Sequence, residues 1–390
     1  MYYNDLAGHH VSALGMGNMR LPTIGGDPKA PIDRAVAEKM IHTAIAGGIN
    51  YFDTAYRYHA GESETFLGDV LSQYPRESYY LASKYPGHMM VRKGGLNVGF
   101  KGLLAGHADS TRNAVFEEQL EKCKTDYFDF YLLHNMSESS YEFFTNEEFG
   151  LIPYLQEQKA AGHIRHLGIS SHGSPETIDK FLTRYEGVFD VVQIQLNYLD
   201  WKLQNAKAKY DVITKHGLKV VVMEGIRGGR LAKLPEAGQA ILNAAGITES
   251  PASLALRWLQ TLPGVAVVLS GMSTPEQLSQ NLQTFATHNP LPADQCELLS
   301  RVADSMLTLV PCTACRYCTD GCPMGLNIPR LMQLYNEEVN GGGMLTFTRA
   351  EDAVGEAPAE CIGCGSCAAL CPQSIEIPAI MAKFAEMLAK

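Results

Sequence analysis

Eight short apolar runs recur through the first 300 residues, each rich in β-branched or aromatic side chains. They are VSALGMG (11–17), NYFDT (50–54), YYLASK (79–84), YFDFYLLH (127–134), HIRHLGIS (163–170), VVQIQL (191–196), KVVVME (219–224) and GVAVVLSG (264–271). Stretches of helical period lie between most of them. In DRAVAEKMIHTAIAGG, for example, apolar residues return every three or four positions and a glycine pair closes the run. A strand covered by helices on both sides is buried on both faces and reads apolar throughout. Eight such units predict an α/β fold, a parallel TIM (β/α)8 barrel. An open doubly wound sheet is the rival, and the even spacing of the units favours the barrel.

The chain has 390 residues, enough for such a barrel and a smaller module beyond it. The segment PLPADQCELLSRVADSMLTLV (290–310) is helical in period after its prolines. A domain boundary is expected near 300, dividing a barrel over 1–300 from a second domain over 301–390. A net charge of −10 argues against nucleic acid or an anionic membrane surface as the main partner. No apolar run approaches the ~20 residues that a membrane span needs. The opening MYYNDLAGHHVSALG has no basic region followed by an apolar stretch, so a secretory signal is not expected. Without export, ten cysteines point to metal ligation in a reducing cytoplasm rather than to disulfides. Cys123 and Cys296 stand apart from the other eight and read as plain buried or half-buried thiols.

In a parallel barrel, polar residues at the C-terminal ends of the strands converge on one mouth. The second run ends in Asp53, with Tyr58 in the turn after it; the third ends in Lys84 and the fourth in His134. A phenol has an ordinary pKa near 10 and is a poor acid at neutral pH; a neighbouring ammonium lowers that value. A carboxylate would hold the ammonium charged, and an imidazole could orient a carbonyl oxygen. Together the four make a proton donor for a carbonyl undergoing reduction. Singly, each has a plainer role: Asp53 as a helix cap, Tyr58 and His134 as core residues, Lys84 as a solvated cation. Four at successive strand ends favour the joint role. The long connection after Lys84, over 86–114, suits a lid, with Arg92, Lys93 and Lys101 available to an anionic substrate.

These segments resemble the aldo-keto reductase family. YFDTAYRYHAGESE, ASK, DFYLLH, GISSH, VVQIQLNY and LSGMSTPEQLSQNL follow that family's motifs in order over about residues 1–290. The resemblance implies a TIM barrel that reduces an aldehyde or ketone with NADP or NAD. It implies Asp53, Tyr58, Lys84 and His134 as the catalytic tetrad, with Tyr58 the general acid. It places Gly17, Asn18 and Met19 under the nicotinamide, and Ser170, Ser171 and Gln193 at its carboxamide. Met223, Glu224, Gly225, Arg227 and Gly228 fall on the pyrophosphate-side loop. Gly271, Met272, Ser273, Gln277, Gln280 and Asn281 fall where the adenosine phosphate is held. Two positions depart from the family pattern. Met223 stands where many members stack a tyrosine on the nicotinamide, and Gln277 where many carry an arginine for the 2′-phosphate. The departures leave room for a flavin at the same mouth, although no sequence feature demands one. His59, His172 and the Tyr198–Trp201 stretch would shape the substrate site.

The remaining cysteines form two copies of C-x2-C-x2-C-x3-C-P: Cys312, Cys315, Cys318 and Cys322, then Cys361, Cys364, Cys367 and Cys371. This is the bacterial ferredoxin spacing, in which the fourth cysteine ligates the other cluster. One [4Fe–4S] cluster is therefore expected on Cys312, Cys315, Cys318 and Cys371, and the other on Cys361, Cys364, Cys367 and Cys322. Two zinc ions are the alternative, and the repeated spacing disfavours them. CPMGLNIPRLM and CPQSIEIPAIM extend the repeat into helical stretches, as does TRAEDAVGEA between them. The region resembles a helical two-cluster ferredoxin domain with pseudo-twofold symmetry.

A nicotinamide delivers two electrons as a hydride, and each cluster carries one. Three functions fit. The first is a carbonyl reductase acting on a small molecule, with the module as structural element, oxygen sensor or electron port. The second is an oxidoreductase whose clusters exchange electrons with an external carrier through a flavin or the substrate. The third is a non-enzymatic electron-transfer subunit.

Overall fold

The computed structural model describes residues 1–27, 30–87, 91–92, 95–96, 108–310, 312, 315–319, 321–340 and 357–389. The chain opens with a hairpin in which β1 (Tyr3–Leu6) pairs antiparallel with β2 (His9–Ser12). Its two-residue turn places Ala7 and Gly8 at φ of 52° and 82°, a conformation that favours glycine. VSALGMG is thus not one strand: it breaks at Ala13, and β3 (Leu14–Gly17) begins the barrel.

The other barrel strands are β4 (Tyr51–Asp53), β5 (Tyr80–Tyr85), β8 (Phe128–Met136), β9 (Ile164–Ser171), β10 (Val191–Gln195), β11 (Lys219–Met223) and β12 (Val265–Ser270). A short antiparallel pair, β6 (Val91–Arg92) and β7 (Gly95–Leu96), lies in the connection after β5. The eight barrel strands are parallel, follow one another in chain order, and close where Val268, Leu269 and Ser270 of β12 pair with Leu14, Gly15 and Met16 of β3. This is the predicted TIM barrel. Lys93 and Lys101 of the expected lid, and nearly all of TRAEDAVGEA, lie outside the described residues.

Leu6 and Val11 of the hairpin are buried among barrel-lining residues, including Tyr51, Ala82, Phe130, Leu132 and Val267. The hairpin plugs the barrel at its N-terminal end. Each such side chain contributes ~1.5–3 kcal/mol of burial. The outer helices close a second layer around the strands. The first of them, Arg34–Ala46, is capped by Asp33, whose carboxylate accepts from the Val36 amide. In the Glu62–Leu71 helix, a methyl group on Gly68 would sit 2.3 Å from the Lys122 carbonyl, so glycine is what lets the two helices approach.

The Ala293–Met306 helix runs through residue 300, and its Leu299, Val302, Ala303 and Met306 belong to the barrel core. We therefore propose the domain boundary after Met306 rather than at 300. The linker then lies along the Ile328–Val339 helix, pinned by two asparagines one turn apart. Asn336 exchanges hydrogen bonds with the backbone of Val310 (2.7 and 3.1 Å), and Asn340 with that of Thr308 (3.0 and 2.9 Å). The module builds its own core from Leu326, Leu331, Leu334, Ile375, Met381 and Phe384 among others. Its two halves repeat locally. The bonds Cys322 N to Thr319 O, Gly325 N to Cys322 O and Ile328 N to Leu326 O recur as Cys371 N to Ala368 O, Ser374 N to Cys371 O and Ile377 N to Ile375 O. Each pair is offset by the same 371 − 322 = 49 residues.

The module rests on the C-terminal rim of the barrel. Gln204, just past the Asp200–Leu203 helix that follows β10, donates to Glu337 at 3.4 Å, and both are buried. Arg330 faces Glu138, the first residue of the Glu138–Phe144 helix after β8. Burial of Glu138 works to raise its pKa, but Arg330 and the Ser174 amide outweigh it and hold the carboxyl down at about 2. Among the described residues, no helix is long and apolar enough to cross a membrane.

Candidate functional site

Each barrel strand delivers polar or small residues to the mouth at its C-terminal end. Asp53 closes β4 and Lys84 lies one residue short of the end of β5; both are buried. The Lys84 ammonium donates to Asp53 Oδ1 at 2.6 Å and to the Thr54 carbonyl at 2.7 Å. The same ammonium lies 4.9 Å from the centre of the Tyr58 ring. The His134 ring meets Tyr58 edge-on, with centroids 6.0 Å apart at 82°. His134 reaches this point because β8 slips register between Leu133 and Met136, where Asn135 takes a φ of 57°. A bulge of this kind re-aims a side chain beside a site. The structure thus brings all four sequence-predicted tetrad residues together.

Burial pulls the Lys84 pKa down, but the Asp53 carboxylate and the Tyr58 phenol more than restore it, so the ammonium is held charged. Burial pushes the Asp53 carboxyl up against the opposing pull of Lys84. Tyr58 differs from the sequence expectation. Desolvation of its phenol group outweighs the ammonium that would favour the phenolate, and its pKa lies above the ordinary value rather than below it. The residue as a whole is half-buried.

The residues expected at the nicotinamide divide into two sets. Asn18 is buried under the mouth and donates to the Met16 and Asp53 carbonyls (3.0 and 2.9 Å), which leaves its Oδ1 without a partner. Gln193 is buried in β10 with Oε1 unpartnered, and Asp53 Oδ2 is likewise orphaned. Three buried acceptors without donors, each costing ~1–3 kcal/mol, suit a ligand that carries N–H or O–H groups. Gly17 ends β3, Met19 is exposed and Ser170 is buried in β9. The Ser171 hydroxyl, by contrast, is committed to the fold: it donates to Met136 O at 2.6 Å and accepts from Gly173 N at 3.0 Å. His59 likewise accepts from the Leu21 amide at 3.1 Å, which ties a loop down. Trp201 packs edge-on against Trp258, 5.2 Å between centroids.

The 223–231 loop follows β11. Met223 and Glu224 are half-buried, and Gly225 is buried. Arg227 is buried and pairs with Asp200, whose other oxygen accepts from Gln195 and Asn197 at 2.8 and 2.6 Å. Its guanidinium therefore braces the loop from within. Gly228 turns at a φ of 59°. The exposed cation here is Arg20, which carries no motif signal and which sequence reasoning missed. Arg20 approaches Glu224 at 3.9 Å, would touch a methyl placed on Gly228 (3.0 Å) or on Gly271 (3.1 Å), and accepts the Ser273 hydroxyl on its carbonyl. It spans the two loops expected to hold phosphate. At the second loop Met272 is buried, while Gly271, Ser273, Gln277 and Gln280 are exposed. Gln277 accepts from Ser273 N at 2.8 Å, and Asn281 donates to Ser270 Oγ at 2.9 Å.

The eight motif cysteines surround two small concavities. Cys312, Cys315, Cys318 and Cys371 line one, with Ile328, Pro329 and Met332. Cys322, Cys361, Cys364 and Cys367 line the other, with Met324, Ile362 and Met381. Each set takes its fourth thiol from the opposite motif. Apolar walls and four thiols fit an iron–sulfur cluster, which needs soft ligands and limited water.

A closed parallel barrel with this mouth is the scaffold of an NAD(P)H-dependent oxidoreductase. Residues 13–304 match the aldo/keto reductase family, and the chain belongs to it. Residues 311–376 match a 4Fe-4S dicluster domain. The chain is 27% identical over 302 residues to an NADH-specific methylglyoxal reductase of Escherichia coli (strain K12), covering 70% of this chain and 89% of that protein. It is 29% identical over 315 residues to an L-galactose dehydrogenase of Arabidopsis thaliana, covering 76% and 90%. Among solved structures, the holo form of an aldo-keto reductase from Bacillus halodurans superimposes with a TM-score of 0.61 at 27% identity, over 77% of this chain and 96% of that one.

Proposed function

We propose that this chain reduces a small aldehyde or ketone at the barrel mouth, with Tyr58 as proton donor and Lys84, Asp53 and His134 as its support. The observation that carries this reading is the buried Lys84–Asp53 pair beneath the Tyr58 ring. The nicotinamide, when bound, supplies the hydride. Asn18 Oδ1 and Gln193 Oε1 would accept from its carboxamide, and Arg20 would meet its phosphates. The raised Tyr58 pKa keeps the phenol protonated across the physiological range. A carbonyl oxygen that gains negative charge becomes far more basic than a phenolate, so the proton still moves downhill to it. The fixed ammonium of Lys84 then stabilises the phenolate left behind, at no reorganisation cost. His134, edge-on to the phenol, orients the carbonyl oxygen toward it.

Residues 271–281 contain no lysine or arginine, and Glu276 occupies the first turn of the Pro275–Thr284 helix. A 2′-phosphate would meet a carboxylate there, which supports NADH over NADPH. The eight cysteines would hold two [4Fe–4S] clusters, which when bound store single electrons. Their separate cavities favour the electron-exchange reading as an addition to carbonyl reduction rather than a replacement for it. The test uses methylglyoxal as probe carbonyl with NADH and NADPH under anaerobic conditions. Tyr58→Phe should lower kcat by ~10²–10⁴ while NADH still binds. Unchanged turnover in that variant would sink the mechanism.

A further inference from the structure

Large apolar side chains left in solvent are unevenly distributed. Eight are exposed among the described residues, and four fall within the stretches 312–329 and 361–378 that carry the two cysteine motifs: Tyr317 (66% exposed), Ile362 (63%), Leu370 (51%) and Met324 (43%). These stretches occupy 18 residues each of 390, so chance does not account for the concentration. The four side chains accompany the two exposed thiols of the module, Cys315 and Cys364. Leu370 reaches across to the other motif, since a methyl group on Gly321 would lie 3.2 Å from it. Exposed apolar side chains gathered in this way mark an interaction surface, and tyrosine and methionine are enriched in interface cores.

The two cavities are not equivalent in this respect. The cavity of Cys312, Cys315, Cys318 and Cys371 is walled by Ile328, Pro329 and Met332. These belong to the helix whose Arg330 and Glu337 meet the barrel. The cavity of Cys322, Cys361, Cys364 and Cys367 is walled instead by the exposed Met324 and Ile362. Ile328 and Ile377 line both, and the second alone has large exposed apolar side chains on its rim.

We propose that the Met324–Ile362 face is the docking surface for a one-electron carrier protein with a basic rim, which exchanges its electron with the cluster expected on Cys322, Cys361, Cys364 and Cys367. The proposal rests on the reading of the eight thiols as cluster ligands. Charge selects the partner. Over 357–389 the exposed charged side chains are Glu360, Glu376 and Glu386 against Lys383. A cluster held by four thiolates adds negative charge, and only Arg316 opposes it among the described residues of the first motif. An acidic carrier would be repelled, and a basic one steered in. In the exchange one electron crosses: the carrier's metal changes by one oxidation unit and the cluster by one in the opposite sense, with no proton or group transferred. A second copy of this chain is the competing occupant, and its own acidic rim opposes it.

The experiment uses the full-length chain, reconstituted anaerobically, with equine cytochrome c as a basic one-electron probe. Iron and sulfide are counted first; about eight of each per chain are expected, and their absence would overturn the cluster reading itself. Ferricytochrome c is then titrated calorimetrically into the oxidised chain, where no electron can move. The expected result is salt-sensitive binding that weakens about fivefold or more in Met324→Lys/Ile362→Lys and is unchanged in Ile24→Lys. Should the lysine pair lose iron, Met324→Gln/Ile362→Gln replaces it. Binding unaffected by variants that keep their iron, or a dimer that those variants dissolve, would overturn the docking proposal and leave the cluster reading standing.

Discussion

Replacing Lys84 with methionine tests the electrostatic design of the mouth. The side chain is buried and similar in volume, so the packing change is small and the main loss is the charge beside Asp53 Oδ1 at 2.6 Å. Breaking a buried pair from one side costs ~3–5 kcal/mol, because the other charge stays buried without compensation. The cost must depend on pH. Desolvation already pushes the Asp53 pKa up, and without Lys84 nothing opposes it. A folded pKa above the unfolded one contributes stability at low pH that is lost as pH rises through the folded value. Lys84→Met should therefore lose stability relative to wild type as pH rises from 5 to 8, with a slope approaching ~1.4 kcal/mol per pH unit. Lys84→Met/Asp53→Asn should remove that slope. Trp201 and Trp258, in contact at 5.2 Å, are the only tryptophans of the chain and lie in the barrel. Their fluorescence in a urea titration therefore follows the unfolding of the barrel. Equal destabilisation at both pH values, or a slope that survives in the double variant, would refute the argument.

Three further outcomes are expected. Gln277→Arg should raise kcat/KM for NADPH relative to NADH by roughly tenfold, since a guanidinium would meet the 2′-phosphate; no change in the ratio would remove this helix from the cofactor site. Cys371→Ser should reduce iron from about eight to about four per chain and leave the Cys322 cluster spectroscopically intact, whereas loss of the Cys361 cluster instead would reverse the assignment. His9 and His166 lie 2.8 Å apart at the closed end of the barrel, and burial followed by His166 depresses the His9 pKa. A depressed histidine contributes stability above the unfolded pKa near 6.5 that is lost as pH falls, so the barrel's urea midpoint should drop between pH 7 and 5, and His9→Phe should flatten that drop.

The barrel was legible because strands buried on both faces leave continuous apolar runs, and eight of them were counted. The N-terminal hairpin was not, because Tyr3–Leu6 is a short, half-polar strand whose only deeply buried side chain is Leu6. The four tetrad residues were legible from their place at strand ends. The sign of the Tyr58 shift was not: sequence names its charged neighbours but not the depth of water exclusion around the phenol, and here exclusion wins. Arg227 illustrates the opposite failure. Its loop was found, but Asp200, 27 residues away, claims its guanidinium. Arg20 escaped notice because it belongs to no pattern; two loops remote in sequence bring it into play. The cavity lining was readable from spacing because both motifs encode it within a few residues, whereas periodicity near residue 300 could not show which core the Ala293–Met306 helix joins.

The exchanged fourth cysteines have a consequence for how the protein is made. The first cavity opens with Cys312 but is finished by Cys371, 59 residues later (371 − 312). At ~5–20 residues per second, several seconds of synthesis separate the two. For all of that interval three thiols of the first motif stand exposed with no complete pocket to enter. Neither set of four thiols is complete before the second motif has emerged, so a cluster taken up earlier would start from a partly liganded site. A truncation just before Cys371 would keep every barrel strand and leave the first cavity one thiol short.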